Sequence, residues 1–223
     1  MEATNPSYSE FIRLRSQINP CISGLAEHIK LVPRAASTIF LLEYSTDGSS
    51  SGPISITETE LRNLSKVDSS SSRRVLFIES ISPTLISYLG QLLDIDPLFF
   101  AGYISTDLQE VEKAALPPTL AFYPSQLAEQ GYLYIYYQQV IDLGSAEQFR
   151  DSAYTLKTDS NVPRNTRRLP YLSERQLALT RKCCSILLKR LKDIWYSKSV
   201  PKFIILFRNF SYTNSYNPYG STC

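Results

Sequence analysis

The run "RVLFIESISPTLISYLGQLLDIDPLFFAGYI" (Arg74–Ile104) constrains the fold more than any other part of the chain. Val75, Leu76, Phe77 and Ile78 are consecutive apolar residues, the pattern of a strand buried on both faces. Ser82–Pro83 then supplies an N-cap and a first-turn proline. Leu85, Ile86, Leu89, Leu92 and Leu93 repeat at helical spacing. Asp96–Pro97 gives the same start signal again, and Phe99–Phe100 drives the helix after it into a core. A strand feeding two successive helices is therefore expected.

The aspartates allow a second reading. A hard cation such as Mg2+ accepts one or two carboxylates and keeps its waters, and Asp94 and Asp96 with Glu79 form a candidate metal site. Asp96 before Pro97 is also explained by helix capping, the reading that the cap geometry favours. Asp94 is not, because it closes a helix whose dipole disfavours a carboxylate there.

The flanking segments continue the alternation of strands and helices. "STIFLLEYS" (Ser37–Ser45) reads as a strand and "TDGSSSGP" (Thr46–Pro53) as a hairpin loop. Ile54 and Ile56 alternate as in a strand, and Thr57 with Glu60 forms a capping box for a short helix through Leu61 and Leu64. In Tyr132–Leu143, Tyr132, Tyr134 and Tyr136 share one face of a long strand, and Leu133, Ile135 and Tyr137 the other. "VPKFIILF" predicts a last strand. Leu177, Cys184, Leu188, Leu191 and Trp195, with Ser173 as cap, predict a helix over 173–195. The order implies an α/β (α+β) fold, a mixed sheet flanked by helices. Residues 1–30 read as a peripheral segment with a short helix around Tyr8, Phe11, Ile12 and Arg15, residues 31–207 as the domain, and 208–223 as a disordered tail.

Composition narrows function by exclusion. A net charge of +2 over 223 residues is too small to argue for nucleic acid or an anionic membrane. The basic residues do crowd the last third: Arg164, Arg167, Arg168, Arg175, Arg181, Lys182, Lys189, Arg190 and Lys192. With Tyr171 and Trp195 they offer a protein- or RNA-binding face over 164–192, although a solvated helix face explains the charges as well. The single histidine, His28, has no Ser or Cys at a catalytic spacing and reads as exposed or capping. No phosphate-binding glycine loop, nucleophile elbow or zinc-protease motif occurs, so no enzyme activity is expected. Cys21, Cys183, Cys184 and Cys223 make no chelating pattern and suggest a reducing compartment. The N-terminus lacks an apolar signal region, and "FIILF" is far shorter than the ~20 residues of a membrane helix.

The stretch 74–104, with "PPTLAFYPSQ…YLYIYYQQVIDL" and "NVPRNTRRLP…LALTRKCCSIL", resembles fungal CorA-like magnesium-transporter proteins over roughly Phe40 to Leu188. The resemblance implies a cytoplasmic α/β/α domain that senses Mg2+ and gates a homo-oligomeric pore, in a family whose members are membrane-associated and whose chain continues into two membrane helices. The Gly-Met-Asn pore motif and those helices do not occur here, and Ala101–Gly102 stands where bacterial relatives carry an acidic pair. The family also places a strand near Cys183–Leu188. The resemblance and these departures together lead to the expectation of a truncated, non-catalytic, regulatory or interaction module. Mg2+ is the one cofactor it implies, at Asp94, Asp96 and Glu79. A homo-oligomer or a membrane-bound family member is the implied partner, and neither nucleic acid nor a direct membrane span is expected.

Overall fold

The computed structural model describes residues 6–45, 48–64, 73–105, 131–150, 152–170, 174–189 and 203–208. The order of elements is α1 (Tyr8–Ile18), a 3-10 turn (Pro20–Ile22), α2 (Ser23–His28), β1 (Thr38–Tyr44), β2 (Ile54–Ile56), α3 (Glu58–Leu64), β3 (Arg73–Glu79), α4 (Pro83–Leu93), α5 (Pro97–Ile104), β4 (Tyr132–Ser145), a 3-10 turn (Ala146–Phe149), β5 (Thr155–Lys157), β6 (Asn165–Arg168), β7 (Arg175–Lys189) and β8 (Phe203–Arg208). Among the described residues this is a mixed α/β fold on an eight-stranded mixed sheet.

Local signals in the sequence place the helices. Ser82 Oγ accepts from Leu85 N at 3.1 Å and Pro83 opens α4. Asp96 Oδ1 accepts from Leu98 N at 2.9 Å and Pro97 opens α5. The Thr57–Glu60 capping box starts α3, with Glu60 N on Thr57 Oγ1 and Thr57 N on the Glu60 carboxylate. Each such cap satisfies amides that the helix itself cannot, and is worth about 1 kcal/mol.

β7 is the spine of the sheet. β4 runs antiparallel along one whole edge, from Tyr132↔Leu187 to Ser145↔Arg175. Two strands share the other edge end to end: β8 pairs with Cys184–Lys189 and β6 with Ala178–Thr180. β8 is parallel to β3, and β3, β1 and β2 continue antiparallel from there. Ile39, Leu41, Leu76, Ile78, Cys183, Leu187 and Ile205 form one buried face together with Leu85, Ile86, Leu89, Phe99, Phe100 and Tyr103 from the helices. Val75 is buried as well and Phe77 half-buried, close to the expectation for a strand covered on both sides. Leu133, Ile135 and Leu188 are exposed on the face turned away from that core.

Two expectations are corrected. The predicted helix over 173–195 is a strand between Arg175 and Lys189; Ser173, Leu191 and Trp195 lie outside the described residues. The reason is that β7 changes its buried face midway. Gln176, Ala178, Thr180 and Lys182 are buried on one side, then Cys183, Ser185 and Leu187 on the other. That switch breaks the strict alternation of a one-sided strand and leaves leucines at spacings that imitate a helical stripe. Pairing on both edges supplies the backbone bonds that a helix would have made internally. Residues 1–30 are not peripheral either, since Tyr8, Ile12, Ile22 and Leu25 are buried in the main core. Tyr8 Oη donates to Ile95 O at 2.8 Å, and its ring meets Phe100 edge-on. The predicted tail beyond Arg208 lies outside the described residues.

Candidate functional site

The tyrosine face predicted in β4 forms the seat of α5. Phe99 lies 5.4 Å from the Tyr132 ring centroid and 5.9 Å from that of Tyr134. Tyr134 Oη donates to Leu98 O and Phe99 O, and Tyr136 Oη to Gly102 O. A side chain at Gly102 would collide with the Tyr134 ring, so glycine lets the helix approach the strand.

The predicted metal residues are placed by helix geometry. Asp96 uses its carboxylate as the α5 cap. Asp94 closes α4 with φ 48° and ψ 55°, the left-handed conformation that Asp adopts more readily than most residues. Its carbonyl accepts from Lys189 Nζ of β7, which puts an ammonium beside the aspartate and opposes a second cation. Glu79 ends β3. Among the described residues no group of three or more His, Cys, Asp or Glu is placed to hold a metal ion, and Asp94, Asp96 and Glu79 do not form such a group.

The basic segment does not form one surface. Arg164, Arg168 and Lys182 are buried, and Arg175 pairs with Asp142. Arg181 lies over the Tyr136 ring. Tyr171, Arg190, Lys192 and Trp195 lie outside the described residues. Arg164 serves the end of α5, donating to Tyr103 O at 2.6 Å and Ser105 O at 3.1 Å. A cation suits those carbonyls because the helix dipole is negative there. His28, expected to be exposed or capping, is buried in the last turn of α2, with its Nε2 unpartnered among the described residues. Burial, and next the Arg164 charge, hold its pKa below the usual imidazole value. Burial raises the Cys183 thiol pKa, which disfavours the nucleophilic thiolate that Cys chemistry needs.

Arg168 is arranged differently. β5 and β6 pair through Thr155↔Arg167, and Arg168 N bonds Tyr154 O at 3.0 Å. This turns the Arg168 side chain toward the start of β7. There Gln176, fully buried, accepts from Arg168 Nε at 3.2 Å and Nη2 at 2.9 Å through Oε1. Gln176 Nε2 donates to Leu169 O at 2.8 Å and Leu177 O at 2.7 Å. The amide therefore has one workable orientation, oxygen toward the guanidinium. Arg168 Nη1 donates to Ser152 O at 2.6 Å, and the guanidinium lies 5.8 Å from the Phe149 ring centroid. These acceptors are neutral, and among the described residues no carboxylate pairs with Arg168. Beside it opens a pocket of 480 Å3 lined by Ser152, Tyr154, Arg168, Leu169, Pro170 and Gln176.

Sequence reasoning counted Arg168 among the basic residues but missed Ser152, Tyr154 and Gln176. The signal lay in the alternation Gln176, Ala178, Thr180, Lys182, which marks a strand with a polar buried face and so places Gln176 inside. No family model, no curated protein and no solved structure matches the chain.

Proposed function

We propose that this domain acts by binding, not by catalysis, and that its site is the pocket at Arg168. One observation carries the reading: a cation with 8% of its surface exposed lies at the pocket wall with only neutral acceptors around it among the described residues. Taking a charge out of water costs several kcal/mol unless it is paired, so the pocket presents a desolvated positive charge to an incoming anion. Gln176 and Ser152 hold the guanidinium in place, so little ordering is needed on binding.

This reading keeps the non-catalytic interaction module expected from the sequence and moves its site away from Asp94, Asp96 and Glu79. Phosphate contacts by an RNA-binding face over 164–192 would need those charges on a common surface, whereas Arg164, Arg168 and Lys182 are buried. A panel of small organic anions and their neutral amides, screened by ligand-observed NMR against the full chain, tests the proposal. Saturation transfer to anions but not to amides is expected. Equal transfer to both sets would contradict it.

A further inference from the structure

We infer that the anion held at Arg168 is a carboxylate carried on a ring-sized apolar body; this rests on the binding role just proposed for the pocket. The charge comes first. Among the described residues, Arg168 is the one cation lining the pocket. It is the one guanidinium in the pocket wall and matches a single carboxylate, while the nearby Arg167 is engaged at the Tyr154 ring. A phosphate monoester carries about −1.5 to −2 near neutral pH and would be left with uncompensated charge in a partly desolvated site.

The donors agree with this. Of the five N–H groups of an arginine, three are used: Nε–H and one on Nη2 toward Gln176 Oε1, and one on Nη1 toward Ser152 O. One N–H remains on each terminal nitrogen. Two such donors match the two oxygens of a carboxylate, the pairing that makes arginine–carboxylate contacts strong and directional.

The walls specify the body. Tyr154, Leu169 and Pro170 are the non-polar side of the pocket. The Arg167 guanidinium lies 5.9 Å from the Tyr154 ring centroid and helps to hold that ring upright. A volume of 480 Å3 falls within the range of about 300–1,000 Å3 that takes small organic ligands, with room for an aromatic or short aliphatic group beyond the carboxylate.

The test is calorimetric titration of the full chain with benzoate, benzamide, phenyl phosphate and inorganic phosphate, with backbone NMR mapping of each. Benzoate is expected to bind saturably and to shift the amides of Ser152, Tyr154, Leu169 and Gln176. Benzamide is expected to do neither, and phenyl phosphate to bind more weakly than benzoate. Arg168→Lys removes the paired donors and should abolish benzoate binding. Because Arg168 is buried, Tyr154→Ala serves as the second variant. Tyr154 is largely exposed, and its loss should weaken benzoate by roughly threefold to tenfold. If phenyl phosphate binds here more tightly than benzoate, the carboxylate assignment falls while the anion-binding role stands. Anion-induced shifts at other residues only, benzoate affinity unchanged by Tyr154→Ala, or no binding of any anion would each overturn the inference, and the last would overturn the binding role with it.

Discussion

Asn161 shows how much a single buried polar side chain can fix. Its Oδ1 accepts from Arg34 N and Ala35 N, and its Nδ2 donates to Ala35 O and Ser80 O. One amide thus ties the loop before β6 to the approach to β1 and the exit of β3. Asn161→Ala would strand buried backbone groups on both sides and should cost at least about 2 kcal/mol, measured by urea denaturation; a change under half of that would mean that water replaces the amide at little cost. Gly90 is a second case. A Cβ there would run into the Tyr8 ring, which is buried and tethered through its hydroxyl to Ile95 O. Alanine normally gains about 1 kcal/mol over glycine inside a helix. Here Gly90→Ala should instead lower stability by about 1–3 kcal/mol through overpacking. Neither contact could be read from the sequence, because each joins residues far apart in the chain. Asp96, by contrast, was legible: an N-cap followed by proline is a local pattern, and α5 begins there. Asp94 was half legible. Its position at a helix end was clear, but its left-handed backbone, which accounts for it, was not.

At the scale of elements, legibility tracked how one-sided each element is. Tyr132, Tyr134 and Tyr136 share one face of β4 as expected, although the less exposed face of that strand changes after Tyr136, and the α4 stripe of Leu85, Ile86, Leu89 and Leu93 keeps a single period throughout. β7 does not, because its buried face changes between Lys182 and Cys183. The strand is held by its neighbours more than by its own pattern, and this can be tested in the middle. Thr180 pairs with Gln139 on one edge and Thr166 on the other. Thr180→Pro would remove a ladder bond in the interior of the sheet and should abolish cooperative folding, seen as loss of the thermal transition. A folded Thr180→Pro protein would contradict the central place of β7. The pocket was illegible for the same reason. Arg168, Gln176, Ser152 and Tyr154 belong to β6, β7 and the segment before β5, and only the correct strand pairing brings them together.

For the whole molecule, helices α1, α2, α4 and α5 share one core with the sheet, and His28 is sealed in that core near Arg164. Its folded pKa lies below the usual value of about 6.5. The unfolded chain therefore binds more protons than the folded one as pH falls through that range, and stability must fall with it. The contribution is fully present above the unfolded pKa and is lost as pH drops toward the folded one. Urea titrations between about pH 8 and about pH 5 should show this decline, and His28→Asn should flatten it. An unchanged slope in the variant would mean that another group is responsible.

The anion pocket is tested most directly at the Arg168 side chain itself, by monitoring its Nε–H signal in 15N-labelled full-length protein during a benzoate titration. A saturable shift is expected, with slowed solvent exchange as the guanidinium gains a carboxylate partner, and no change with benzamide. A signal that stays fixed up to saturating benzoate would show that the buried charge is satisfied by Gln176 and Ser152 alone and that this pocket binds no carboxylate.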